Sequence, residues 1–275
     1  MAEIPCTTTA NLTQEVGALR IRGDSSRQGK ATVVREIPLT IFLNGREIVT
    51  LLCTGAHVES LAVGFLRSEG LLHRRQSITA VEVDRQTHVV RVSSSEETSS
   101  AVELQGKRTV TSGCGKGTLF YHVLDSIHSR AIRSPLTVTV AQIRRLMSKL
   151  NQRSELYRLS RGVHNCALAA GEEILIFRTD IGRHNAVDMI VGECFLNDIS
   201  TSDKILVTTG RITSEILIKA AKMKLPMLIS RSAATSLSLD LARDLNITVV
   251  GLVRGGGMVV YTGRENVIMQ TAGSS

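Results

Sequence analysis

Apolar and β-branched residues concentrate over Leu39–Leu43 and again over Arg46–Leu52, and Asn44-Gly45 separates the two runs. Two β-rich runs around Asn-Gly predict a hairpin, because the favoured two-residue turn needs positive φ at both positions. Val58, Leu61, Ala62, Phe65 and Leu66 then recur at helical spacing, with Gly70 where a C-cap would sit. Ile78–Val83 and His88–Val92 read as two more strands, followed by a serine-rich loop at Ser93–Ser100. Residues 109–118 (TVTSGCGKGT) form a glycine-rich loop, and a helix is expected over Leu119–Ile132 before Pro135 interrupts. Val140, Ile143, Leu146, Met147 and Leu150 mark another amphipathic helix.

From about residue 172 the pattern changes. Strands are predicted at Ile174–Phe177, Ile205–Val207, Met227–Ile229, Ile247–Val253 and Met258–Tyr261. Helices fall between them at Arg183–Leu196, Ser214–Lys224 and Ser236–Leu245. This alternation with short connections predicts an α/β unit with a largely parallel sheet and helices on its faces. The expected organisation is a polar, irregular, poorly ordered segment over 1–30, a mixed hairpin-rich unit over 31–134, and the α/β unit over 135–275.

Composition narrows the picture. Of 275 residues, 43% are hydrophobic and 21% charged, as in a globular chain. No apolar run approaches the roughly 18 residues that span a bilayer. Met1–Ala10 lacks a basic and an apolar region, so a cytoplasmic location without a membrane partner is expected. The five cysteines are odd in number and contain no C-x-x-C, which argues against a disulfide framework and against a structural metal. The net charge of +8 suits an anionic partner. Aromatic residues are only 3% and Trp is absent, so single-stranded nucleic acid fits poorly and a phosphate-bearing ligand fits better.

Ligands of α/β sheets bind outside the carboxyl ends of parallel strands, and those junctions are legible. They contain Gly182-Arg183-His184-Asn185, Gly210-Arg211, Arg231-Ser232 and Leu252-Val253-Arg254-Gly255-Gly256-Gly257. Helix N-termini offer free N–H groups, glycine admits close approach, and arginine adds bidentate charge. A single junction of this kind reads most simply as an N-cap beside a solvated arginine. Four along one edge predict a site for a ligand with several phosphates. Asp180, His184 and Asp188 are candidates for one polar network at a helix start. His184 suits ligand contact better than base catalysis.

Cys114 lies among Gly113, Gly115 and Gly117, with Lys107, Arg108 and Lys116 nearby. Neighbouring cations lower a thiol pKa, and the thiolate is the nucleophile. Cys53 and Cys194 sit in apolar runs and read as small core residues, Cys6 lies in the N-terminal segment, and Cys166 lies close to His164.

Seven segments in order resemble the FdhD family: NGRE at 44–47, LAVGFLRSEG at 61–70, TSGCG at 111–115, RTDIGRHNAVD at 178–188, TGRITSE at 209–215, SRSAATSL at 230–237 and VGLVRGGGMVVYT at 250–262. The resemblance spans about residues 33–265. It implies a sulfurtransferase that accepts sulfane sulfur from a cysteine desulfurase as a persulfide. The sulfur passes to the molybdenum or tungsten bis-guanine-dinucleotide cofactor of formate dehydrogenase. It further implies a cytidine-deaminase-like three-layer C-terminal unit, a homodimer, Cys114 as the persulfide cysteine, and Leu252–Gly257 as part of the cofactor-binding segment. Many members carry C-G-x-C in the cysteine loop; here Gly117 stands in the second cysteine's place, so a persulfide rests on one thiol. The alternative is a chaperone that holds the cofactor without transferring sulfur. Deamination is rejected, since P-C-x-x-C is absent and Pro226 is followed by Met227.

Overall fold

The computed structural model describes residues 9–96 and 131–269. The glycine-rich loop and all but the last two residues of the helix expected over Leu119–Ile132 lie outside them.

The chain opens with β1 (Thr13–Arg22) and β2 (Ser25–Val34), an antiparallel pair separate from every other sheet. This corrects the reading of the segment as irregular for residues 13–30. The segment has few apolar residues, but its cross-strand register runs unbroken from Thr13↔Val34 to Arg22↔Ser25. The predicted hairpin follows as β3 (Ile37–Leu43) and β4 (Arg46–Cys53), with Asn44 at φ 50° and Gly45 at φ 79°. Helix α1 (Val58–Glu69) ends at Gly70 in the left-handed region. Then come β5 (Ile78–Asp84) and β6 (Val89–Ser94), completing a four-stranded sheet in the order β4-β3-β6-β5. Leu39, Ile41, Leu43, Val90 and Val92 from this sheet bury against Leu61 and Leu66 of α1.

The second part runs β7 (Val138–Thr139), α2 (Val140–Arg153), α3 (Glu155–Ser160), β8 (His164–Ala170), β9 (Glu173–Asp180) and α4 (Arg183–Leu196). It continues with β10 (Ile205–Thr208), α5 (Ser214–Lys222), β11 (Met227–Ser230), α6 (Ser236–Asp244), β12 (Thr248–Arg254), β13 (Gly257–Thr262) and β14 (Val267–Ile268). Thr139 and Gln142 form a reciprocal capping box that starts α2.

Six strands form one sheet in the order β13-β12-β11-β10-β8-β9. The expected largely parallel sheet is corrected to a mixed one: β10, β11 and β12 run parallel, while β8–β9, β8–β10 and β12–β13 pair antiparallel. The short turns at Gly171 and Gly255-Gly256 dictate this, because a connection of two or three residues joins only antiparallel strands. Strand β8 escaped the sequence reading because its central residues are buried on both faces, which erases the alternation.

The two faces of the sheet feed different cores. Cys166, Leu168 and Leu206 point toward α4, α5 and α6, while Ala167, Ala169, Ile205 and Val207 point toward Ile143, Leu146 and Leu150 of α2. Helix α4 serves two cores, since its Met189, Phe195 and Leu196 pack into that of the four-stranded sheet. There α1 crosses α4 at Gly64 and Gly192. A Cβ on Gly64 would lie 1.8 Å from the Asp188 carbonyl oxygen, and one on Gly192 would lie 1.9 Å from that of Ser60. Only glycine permits this approach of two helix backbones.

Candidate functional site

The carboxyl ends of β9, β10, β11 and β12 and the start of β8 lie along one edge of the six-stranded sheet, where Thr208 pairs with Cys166 and His164 with Asp180. A cavity of about 520 Å³ opens there, within the size range of small-molecule sites. Its floor comes from the sheet edge: His164, Thr209, Arg231, Ser232, Leu252 and Arg254. Its far wall is Tyr157, Arg161, Gly162 and Val163, from α3 and the loop entering β8.

Backbone bonds knit this floor together. Arg231 N–H donates to the Thr208 carbonyl at 3.0 Å, and Thr209 N–H donates to the Asn165 carbonyl at 3.0 Å. Leu252 N–H donates to the Ser232 carbonyl at 3.0 Å. Leu252 has φ 55°, costly for a branched side chain and a point of stored backbone strain at the cavity. Gly251 beside it would place a Cβ 2.9 Å from the Ser232 oxygen, so the β11 and β12 junctions touch through glycine. Gly255 and Gly256, both at positive φ, make the hairpin turn into β13, and the Arg144 guanidinium donates to the Gly256 carbonyl at 2.7 Å. On the opposite wall, the Arg161 guanidinium stacks over the Tyr157 ring at 5.1 Å.

The site is cationic. Arg161, Arg231 and Arg254 line it. Arg183 and Arg211 stand close enough to His164 that, after burial itself, their charges hold its pKa below the ordinary range. His164 is thus a neutral donor or acceptor among positive groups. Gly210 abuts Arg183, since a Cβ there would meet the Arg183 Cβ at 2.9 Å.

Of the residues singled out in the sequence, Arg231, Ser232, Leu252 and Arg254 line the cavity, and Arg183 and Arg211 border His164. Val253 is buried in the core on the α2 face. His184 and Asn185 turn elsewhere. Asn185 donates through Nδ2 to the Leu52 carbonyl (2.9 Å) and to Asp180 Oδ1 (2.7 Å). Fully buried Asp180 also accepts from Gly182 N–H (2.9 Å) and from Thr54 through N–H (2.9 Å) and Oγ1 (3.0 Å). Burial pushes the Asp180 pKa up, and these donors oppose it. Asp188 pairs with Lys219 Nζ at 2.5 Å and accepts from Ser68 Oγ at 2.6 Å. His184 Nε2 lies 3.2 Å from Glu215 Oε2 without hydrogen-bond alignment; burial, then Lys219 and Arg183, drive its pKa down to about 3. Asp180, His184 and Asp188 therefore have three separate sets of partners and form no common network.

Cys114 and its basic neighbours lie outside the described residues, as does Cys6. The other thiols are poor nucleophiles. Burial pushes Cys53 and Cys194 up to about 12, and Cys166, which is fully enclosed, is raised as well. Proximity of His164 in sequence therefore does not make Cys166 reactive. Tyr157 and Arg161 were not singled out. They sit on a short helix and its left-handed cap with no motif to flag them, and only the chain path brings them opposite the sheet edge.

A family model described as the FdhD/NarQ family matches residues 34–268. The chain is 42% identical over 238 residues to the sulfur carrier protein FdhD of Halalkalibacterium halodurans, covering 86% of this chain and 88% of that one. It is 40% identical over 235 residues to the protein of the same name from Staphylococcus aureus (strain MRSA252), covering 86% and 89%. Among solved structures it is similar to that of a formate dehydrogenase accessory protein from Desulfotalea psychrophila. The TM-score is 0.77 at 24% identity, covering 94% of this chain and all of that one, a likeness in fold.

Proposed function

The chain belongs to the FdhD/NarQ family, and on that premise we propose that it carries sulfur on Cys114 as a persulfide and delivers it to the guanine-dinucleotide cofactor of a formate dehydrogenase. The Cys114 thiolate attacks the outer sulfur of a persulfide on a cysteine desulfurase. A new S–S bond forms at Cys114 while the desulfurase cysteine departs as thiolate. The outer sulfur would pass to the reduced molybdenum (or tungsten) of the cargo, which would supply the two electrons that make it a sulfide ligand, while the S–S bond breaks and Cys114 leaves as thiolate.

The observation that carries this reading is the arginine-lined cavity at the sheet edge. Each dinucleotide arm of the cargo contributes a pyrophosphate, and Arg161, Arg231 and Arg254 face the space where such a group fits. The residues assigned to hold it are Arg231, Ser232, Leu252 and Arg254, with His164, Thr209 and Arg161 added. Gly182 and Asn185 support the junction from behind. We further read the C-terminal unit as deaminase-like, its mixed sheet lying between α2 and the layer of α4, α5 and α6. The division near residue 135, a homodimer and a cytoplasmic location belong to the same reading.

Complementation tests it. In a host lacking its own sulfur carrier, this protein should restore formate dehydrogenase activity and Cys114→Ala should not, at equal soluble expression. Mass analysis should find the sulfur adduct on Cys114 after exposure to desulfurase and cysteine. Equal activity from both proteins would leave a cofactor-holding chaperone, the role that Gly117 in place of a second cysteine would favour.

A further inference from the structure

The β1–β2 pair is an arm. Its ten cross-strand pairs join no other strand, and most of its residues beyond the base are exposed. An isolated two-stranded ribbon is marginal in water. Only its base is anchored: Val34 lies 3.0 Å from the Cβ position of Gly162, and Arg35 Nε donates to the Thr13 carbonyl at 2.9 Å.

The two faces of the arm differ. Residues paired across the strands share a face. One face carries Leu19 and Ile21, 57% and 70% exposed, beside their partners Gln28 and Ser26. The other carries Arg20, Arg22 and Arg27, all exposed. Arg20 stands directly opposite Arg27, an arrangement that repels. Nearer the base the arm pairs its charges in the usual way, Lys30 with Glu15 at 2.9 Å. No carboxylate among the described residues forms an ion pair with any of the three tip arginines.

We propose that this arm, rooted at the wall of the arginine-lined cavity, docks an acidic protein partner. The chemistry selects the partner. Carboxylates on its surface would take the three guanidiniums bidentately and relieve their repulsion, while an apolar slot covers Leu19 and Ile21. Duplex nucleic acid would satisfy the arginines but leave both aliphatic side chains in water. A second copy of the chain would bring a net charge of +8 toward a face already positive. The base of the arm lies against Gly162, which lines the cavity.

The test draws its two probes from the sulfur-carrier reading and so rests on it. The parent, R20E/R22E/R27E and L19S/I21S, each as the full chain, would be measured for affinity to purified formate dehydrogenase and to purified cysteine desulfurase at low and high salt. The parent should bind at least one of them, more weakly at high salt. Both variants should bind that protein about tenfold or more weakly, with thermal midpoint and GDP affinity unchanged. The proposal is overturned if the parent binds neither protein or if the variants keep parental affinity. It is equally overturned if the substitutions affect only binding to duplex DNA or only self-association. Formation of a Cys114 persulfide from inorganic polysulfide needs no arm, so a failure of the sulfur-carrier reading would show there instead.

Discussion

The two ends of the sheet edge carry the same punctuation of glycine, arginine and small hydroxyl residues, yet they do different things. At β10, β11 and β12 the junctions face open space, and Arg231, Ser232 and Arg254 line a cavity. At β9 the junction faces the rest of the chain. Asp180 gathers Thr54, Gly182 and Asn185 around one buried carboxylate, and Asn185 reaches the Leu52 carbonyl across the boundary between the two sheets. A strand end with free N–H groups and glycine is a place of close approach. Whether a ligand or another part of the chain approaches is decided by what lies opposite.

That contrast can be broken experimentally, beginning where the two parts of the chain are locked together. Gly64→Ala forces a methyl into the Asp188 carbonyl. The expected loss is about 3 kcal/mol, the upper end for overpacking, read as a lower urea midpoint. Parental stability would mean that α1 and α4 do not cross so closely.

At the open end the effects should fall on binding. Arg231→Ala and Arg254→Ala should each weaken GDP, which carries the guanine and pyrophosphate of a cofactor arm, by about tenfold to a hundredfold. Stability should stay within about 0.5 kcal/mol. Calorimetric titration and urea unfolding separate the two, and a large loss of stability with intact binding would reverse the roles of the two ends.

Acid should act on the closed end. His184 stays neutral in the fold down to about 3, whereas an unfolded histidine takes a proton near 6.5. The unfolded state therefore binds more protons in between, and stability falls as pH drops below 6.5. The slope approaches about 1 kcal/mol per pH unit, a little under the full linkage value because the ring is partly exposed. His184→Asn should flatten it, measured as urea midpoints above about pH 5. The raised Asp180 and Asp188 have the opposite sign, since the folded state takes up their protons first, and they act from the ordinary carboxylate value of 3.8 upward, so the His184 contribution is read as the difference between the parent and His184→Asn.

The smallest effect should come from the turn beyond the cavity. Arg144→Ala removes the bond to the Gly256 carbonyl. Loosening the hairpin that follows Arg254 should weaken GDP several-fold, about 0.5–1.5 kcal/mol. An unchanged affinity would show that the turn is rigid without that anchor.

Local pattern made much of this legible. Asn44-Gly45 announced its hairpin because few residues accept positive φ twice in succession. Helix α4 was bounded correctly from its apolar content and Gly182, though its buried residues surround the axis. Strand β8 was missed for the same reason that it is central: burial on both faces leaves no alternation. The β1–β2 arm was missed because its strands are mostly polar and exposed, with Leu19 and Ile21 as the only large apolar residues near the tip.

By itself the sequence determined the elements with a period, the turns that demand glycine, and the motifs that place the chain in its family. Each of these depends on residues within a few positions of one another. The tertiary structure alone decided that His184 faces Glu215 and not the cavity, that Asp180 joins two parts of the chain, and that Tyr157 and Arg161 face Arg231 and Arg254. Those relations connect residues from 31 to more than 100 positions apart, and direction in space is not encoded in the spacing of any one segment.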